Sequence, residues 1–163
     1  MPKYLFFYDT PVGRLGIVDE NSQITRLYFS GSSKTKDPGA AIADATVAET
    51  ELLKKAGIQL QEYFNGCRRT FDLPIVPKGT PFQIKVWKAL LDIPYGETRS
   101  YKDIASAVGN ERACRAVGMA NNKNPIAIII PCHRVIGSNG KLVGYGGGLD
   151  IKQYLLELEQ RFL

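Results

Sequence analysis

The chain has 163 residues, 44% of them hydrophobic, and a net charge of +5, which is room for one or two small domains at roughly 150 residues each. No run of about 18 apolar residues occurs, and "MPKYLFFYDTPVG" carries an acid too early for a signal peptide, so a soluble, cytoplasmic protein with no membrane partner is expected (nuclear in a eukaryote). Three widely spaced cysteines (Cys67, Cys114 and Cys132) with no CxxC pair argue against a disulfide framework and against a zinc site, and no metal or cofactor is expected.

In chain order, "KYLFFYDT", "GRLGIVD" and "QITRLYFS" are short β-branched and aromatic runs separated by "PVG" and "ENS". They predict an antiparallel meander. "GSSKTKDPGA" is a loop by composition. Thr46 with Glu49 makes a capping box for a helix whose face carries Leu53, Ala56, Leu60 and Phe64, and which Gly66 closes. "RRTFDLPIV" is expected to return as an edge strand. No chemistry is visible in this half, and Cys67 reads as a loop thiol.

"LPIVPKGTP", with three prolines in nine residues, is the linker. It divides the chain into residues 1–76 and 77–163. The first part carries nine lysines and arginines against nine acids, and the second twelve against seven. The positive excess lies wholly in the second part, as a polyanion-binding region requires, although a basic solvated face would look the same.

Thr80, Pro81 and Gln83 open a helix with a capping box; Phe82, Val86, Ala89 and Leu90 form its apolar stripe, and Trp87 beside them reads as core. Ser100 with Asp103 caps the next helix, which Gly109 ends, and Asn110 is expected to cap another beginning at Glu111. Two helices joined by a tight glycine turn form a helix-turn-helix pattern, weak by itself. In the second helix Arg112, Arg115 and Met119 share one face, and Ala113, Ala116, Val117 and Ala120 another. Arginines a turn apart suit phosphates and small residues permit close approach, which favours a DNA-facing helix over a structural one. "PIAIIIP" then reads as a buried strand, "GSNGK" as a turn and "VGYGGGLD" as a glycine-rich loop that lacks the phosphate-cradle pattern. The last helix, "DIKQYLLELEQRFL", is expected to bury Ile151, Tyr154, Leu155, Leu158 and Phe162, with Glu157 and Glu159 flanking them.

A cysteine beside isoleucines is by default a small buried hydrophobe. Against that, Pro131 places Cys132 where the expected strand ends, and His133, the one histidine of the chain, and Arg134 supply a base and a positive field. Adjacent residues of a strand face opposite ways, so cooperation between Cys132 and His133 requires a turn or a bridging water. The residues alone leave hydrolysis, transfer and redox chemistry open.

From about Gly79 to Glu159, the segments "PFQIKVWKALLDIPYGETRSY", "RACRAVGMANNKNP", "IPCHRVIGSNG" and "GYGGGLDIK" together resemble the O6-alkylguanine-DNA alkyltransferases, the methylated-DNA–protein-cysteine methyltransferases. The resemblance implies a two-domain α+β/α/β protein, with a small N-terminal antiparallel-sheet-plus-helix domain and a mostly helical C-terminal domain holding the helix-turn-helix. It implies a DNA repair protein that flips O6-alkylguanine, and O4-alkylthymine, out of a duplex and moves the alkyl group irreversibly to its own cysteine, once per molecule. By resemblance Cys132 is the acceptor, His133 deprotonates it through a water, and Glu159 orients the imidazole. Asn124 is the hinge asparagine, and Tyr101 crowds the target phosphate and bonds the flipped guanine. Arg115 is the finger that fills the vacated stack; with Arg112, Ala113, Gly118 and Asn121 it meets DNA in the minor groove. Pro125, Val135, Tyr145, Gly146 and Gly147 line the pocket. The implied partner is double-stranded DNA containing alkylated guanine, bound by a monomer, with cooperativity along DNA left open.

The chain departs from the family pattern in lacking the N-terminal zinc-ligand set of some members. Gly146 stands where several members carry serine, and Cys114 stands where alanine is common. The rival readings are a non-catalytic alkyltransferase-like binder, which would lack the acceptor cysteine, and a helix-turn-helix DNA-binding protein, which would leave the Cys-His-Glu set unexplained. A third, a cysteine hydrolase, would need multiple turnover and an oxyanion hole.

Overall fold

The structure is a computed structural model that describes residues 2–30 and 42–163; the expected loop at 31–40 lies outside them. Strands β1 (Lys3–Thr10), β2 (Gly13–Glu20) and β3 (Gln23–Ser30) form the expected antiparallel meander, with Leu5 opposite Val18 and Ile17 opposite Leu27. The β2–β3 turn has Asn21 and Ser22 both at positive φ (58° and 61°), the conformation that matches the twist of a two-residue hairpin.

The capping box at Thr46 does not form. Thr46–Val47 is instead a short strand, β4, parallel to β1, which makes the sheet mixed, in the order β3-β2-β1-β4. Helix α1 (Glu51–Phe64) starts from Thr50, whose hydroxyl accepts from the Leu53 amide and donates to Asp19. Pairing of Thr46 with Tyr4 and of Val47 with Leu5 takes the expected cap into the sheet. Leu53, Ala56, Leu60 and Phe64 are buried as expected, and Gly66 ends the helix at φ 78°. The expected edge strand shrinks to one parallel bridge, Ile24 to Ile75.

Helix α2 (Pro81–Leu91) carries the Thr80–Gln83 capping box, and Trp87 is buried, its indole N–H donating to the Ala120 carbonyl. The short strand β5 (Arg99–Ser100) leads into α3 (Tyr101–Ala107), which has the Ser100–Asp103 box; Gly109 turns the chain at φ 84°. Helix α4 (Cys114–Asn122) begins three residues later than expected. Asn110 accepts from the Arg112 amide and from the Ala113 amide, so residues 110–113 are a turn and Arg112 lies outside the helix.

"PIAIIIP" is buried but is not a strand. A parallel bridge joins Ile126 to Leu27 of β3, the chain then coils through Ile128 at φ 70°, and Cys132–Arg134 form a single 3-10 turn. A continuous apolar run has no period to tell strand from buried coil, and Pro125 and Pro131 remove ladder donors at both ends. Strand β6 (Val135–Ile136) pairs in parallel with β5, and α5 (Leu149–Arg161) closes the fold. Helix α5 buries Leu155 and Leu158 but also Lys152 and Glu159, while Tyr154 and Phe162, expected to be buried, keep 38% and 36% of their surface exposed. No helix among the described residues is long and apolar enough to cross a membrane.

Candidate active site

The 3-10 turn sets Cys132 and His133 on the inner wall of the protein, both buried. Asn121 of α4 donates to the Cys132 carbonyl, 3.3 Å away. Asn124, just past α4, donates to the Ile130 carbonyl (2.8 Å) and accepts from the Ile126 amide (3.0 Å). Asn124 therefore splints the coil between α4 and the turn. β3 holds the same coil from outside, through Leu27 N–H to the Pro125 carbonyl and Ala127 N–H to the Leu27 carbonyl.

Glu159 of α5 lies beneath the turn, 1% exposed. Its Oε2 accepts from His133 Nε2 (2.6 Å), the Tyr63 hydroxyl (2.6 Å) and Arg134 Nη2 (3.1 Å); its Oε1 accepts from Arg134 Nε (2.8 Å) and the Gly96 amide (3.1 Å). Burial opposes the charge on this carboxylate, but His133 and Arg134 outweigh it and bring its pKa down to about 2. An ionised carboxylate only accepts, so Nε2 of His133 carries the proton and Nδ1 is the basic nitrogen. That Nδ1 is buried with no hydrogen-bond partner among the described residues, and burial pushes the imidazole pKa below its ordinary value. No direct Cys132–His133 hydrogen bond is present among the described residues.

Burial raises the Cys132 thiol to about 11, although Asn124 and the charge of Lys152 pull the other way. Lys152 is fully buried on α5, donates to the carbonyls of Val143 (2.9 Å) and Gly144 (3.4 Å), and burial lowers its pKa to about 8. The Val143 carbonyl also accepts from the Tyr101 hydroxyl (2.9 Å), so one carbonyl ties α3, α5 and the glycine-rich loop together.

Cys132 opens on a cavity of about 580 Å³ whose wall includes Pro125, Tyr145 and Gly146, with Arg26, Tyr28 and Phe29 of β3 on the far side. The Tyr145 hydroxyl is buried and has no partner among the described residues. Val135 is fully buried in the β5–β6 pair, and Gly147 packs behind two wall residues, so tightly that an added Cβ would stand 2.9 Å from the Phe29 ring and 3.1 Å from the Tyr145 ring.

The surface of α4 also differs from expectation. Arg112 and Arg115 are exposed, with Ala116, Met119 and Asn122 beside them. Asn121 is buried, because its amide is engaged behind Cys132, so it is not on the outer face. Gly118 faces the Tyr101 ring, 3.8 Å from an added Cβ, and Ala113 packs against the core.

Sequence reading missed Tyr63 and Lys152, and with Tyr63 any role for the first half of the chain; Arg134, expected to supply a positive field to Cys132, is paired with Glu159. The available signal was weak. Lys152 and Glu159, seven residues apart, share the face of α5 that buries Leu155, and charges on an apolar face announce a buried network. Tyr63 looks like any core aromatic.

Glu159 titrates below its ordinary value of 4.5, so its contribution is present above that value and lost as pH falls toward 2. Denaturant unfolding should lose on the order of 3 kcal/mol between about pH 5 and pH 2 from this group. Glu159→Gln is less stable at pH 7, because Arg134 is left buried without its countercharge, and its acid slope is shallower. Parallel slopes for the two proteins would refute this account of the carboxylate.

Comparison with known proteins covers the whole arrangement. Residues 81–161 match the family model described as 6-O-methylguanine DNA methyltransferase, DNA binding domain, and residues 3–77 match its ribonuclease-like domain. A methylated-DNA–protein-cysteine methyltransferase of Methanosarcina mazei is 55% identical over 160 residues, covering 98% of this chain and 99% of that protein. The constitutive one of Bacillus subtilis is 52% identical over 153 residues, covering 93% and 92%. Among solved structures, Mycobacterium tuberculosis OGT in complex with DNA superposes with a TM-score of 0.90 at 46% identity, covering 98% of this chain and 94% of that one.

Proposed function

The chain belongs to the 6-O-methylguanine DNA methyltransferase family and is a methylated-DNA–protein-cysteine methyltransferase that repairs O6-methylguanine in DNA, and from that premise we propose that Cys132 is its acceptor and that Cys132, His133 and Glu159 form its proton path. The observation that carries this reading is the buried chain of contacts in which Glu159, held as an anion, fixes the tautomer of His133 and leaves Nδ1 as the basic nitrogen of the residue that follows Cys132 on the 3-10 turn.

The step balances simply. The thiol proton passes through a water to His133 Nδ1. The sulfur lone pair then forms the S–C bond in line as the C–O6 bond breaks, and that pair leaves on the guanine, which hydrogen bonds stabilise. The target must be flipped out of the stack to reach the cavity, with Arg115 from α4 in the vacated place and Arg112 on the flanking phosphate. Tyr101 exchanges its Val143 acceptor for the flipped base. O4-alkylthymine presents the same exocyclic oxygen and is taken the same way. A thioether has no easy leaving step, so each molecule acts once. The protein binds duplex DNA as a monomer, in the compartment that holds the genome.

Intact-mass measurement after mixing with methylated duplex at known ratio tests this. One methyl per protein molecule, on Cys132, is expected. A protein that binds without gaining mass is a recognition module, and product in excess of protein marks a hydrolase.

A further inference from the structure

We infer that Tyr63, from α1 of the N-terminal domain, is a positioning residue for methyl transfer: its hydroxyl holds Oε2 of Glu159 and thereby sets how strongly His133 takes up a proton. The inference rests on the Cys132–His133–Glu159 assignment proposed above.

Tyr63 is 96 residues from Glu159 in the chain, is fully buried, and donates across 2.6 Å. Its ring is fixed by Phe64 and Tyr95 at edge-on angles and by Phe71, so the hydroxyl has one direction open to it. Burial and the Glu159 charge both keep that hydroxyl protonated, so it is a donor throughout the working range. It shares Oε2 with His133 Nε2, and each donor on one oxygen draws off charge that the other would use. The further groups around the pair are Arg134 on the turn, Lys152 on α5, and Tyr95 and Tyr145 on the flanking loops. The two tyrosines are pushed up and stay neutral. Lys152 remains largely charged below its pKa of about 8. Only the Tyr63 hydroxyl brings the N-terminal domain to the catalytic carboxylate by a hydrogen bond among the described residues.

Removing that donor concentrates the negative charge of Oε2 on the His133 contact. Imidazolium is then better stabilised, and the nitrogen that must be neutral to accept the thiol proton is occupied up to a higher pH. Tyr63→Phe deletes one oxygen and keeps every ring contact.

The chain has one histidine, so ¹⁵N-histidine labelling reads His133 alone. Tyr63→Phe is expected to raise its titration midpoint by about half to one unit. The acid limb of the transfer rate, at saturating methylated duplex, should move by the same amount. The Nε2–H proton should stay slow to exchange and move downfield. In the opposite direction, 3-fluorotyrosine at position 63, a stronger donor, should lower the midpoint. An unmoved midpoint in either protein overturns the inference, as does a rise accompanied by loss of Nε2–H protection, which is the sign of a loosened site. His133→Asn separates the two levels. If the acid limb survives in it, the base assignment fails; if the limb disappears there yet stays at its original pH in Tyr63→Phe, only the role of Tyr63 fails.

Discussion

Cys132→Ser is expected to abolish methyl transfer while leaving affinity for duplex DNA within a few-fold of the parent protein. Cys132 is 5% exposed, in the wall of the cavity, and its thiol is not a phosphate ligand, so binding does not depend on it. The chemistry depends on it entirely. Burial raises its pKa to about 11, so the resting thiol is held protonated at pH 7. Such a site protects the sulfur from stray oxidants and electrophiles, and it requires the neighbouring base to take the proton when a substrate is in place. A serine hydroxyl is far less acidic than the thiol, and an imidazole whose own basicity is lowered by burial cannot deprotonate it. Peptide mapping after exposure to methylated duplex, with a binding titration of the same protein, checks both halves. Residual transfer in the serine variant would reject Cys132 as the acceptor. So would a methyl group on Cys67, which is exposed, or on Cys114, which is half-buried.

Arg115→Ala should slow repair of saturated duplex by roughly thirty-fold, the equivalent of about 2 kcal/mol from the few that unstacking a base requires, and should barely change reaction with free O6-benzylguanine. Arg115 is the second residue of α4, exposed, with no ion pair or hydrogen bond among the described residues. A supporting role through Glu111, four residues earlier, is removed by the structure, because Glu111 lies in the turn before α4 and not on its surface. Two roles remain. A phosphate contact would weaken duplex binding and leave the saturated rate nearly intact, whereas a residue that fills the stack lowers the rate itself. The measurement is the ratio of the two rate losses, duplex over free base, with the duplex saturating. A ratio near one would remove Arg115 from the flipping step.

How the sequence related to the fold differed from one segment to the next, for a reason each segment shows. The three-strand meander, the capped starts of α2 and α3 and the closing glycines at 66 and 109 were legible because each rests on neighbours in the chain. Where two local solutions competed, local signals failed. Strand pairing with β1 takes Thr46 and moves the helix start to Thr50, and Asn110 closes a turn on the Arg112 and Ala113 amides and moves the start of α4 to Cys114. "PIAIIIP" was read as a strand because hydrophobicity states only that a segment is buried.

The amino-acid sequence by itself determined the family, through motifs of fixed order and spacing, and with it the identity of Cys132, His133 and Glu159 as the residues to examine. It placed Glu159 on the flank of α5, and it assigned no chemistry to the N-terminal half. Tertiary structure decided the rest. Glu159 is buried because Tyr63, Gly96, His133 and Arg134, drawn from widely separated stretches of chain, converge on its two oxygens. No pattern in a helix of thirteen residues records donors that arrive from other elements. The charge state of the carboxylate, the tautomer of His133 and the high pKa of Cys132 all follow from that convergence and from exclusion of water. Solvation and hydrogen bonding across distant segments exist only once the chain has folded.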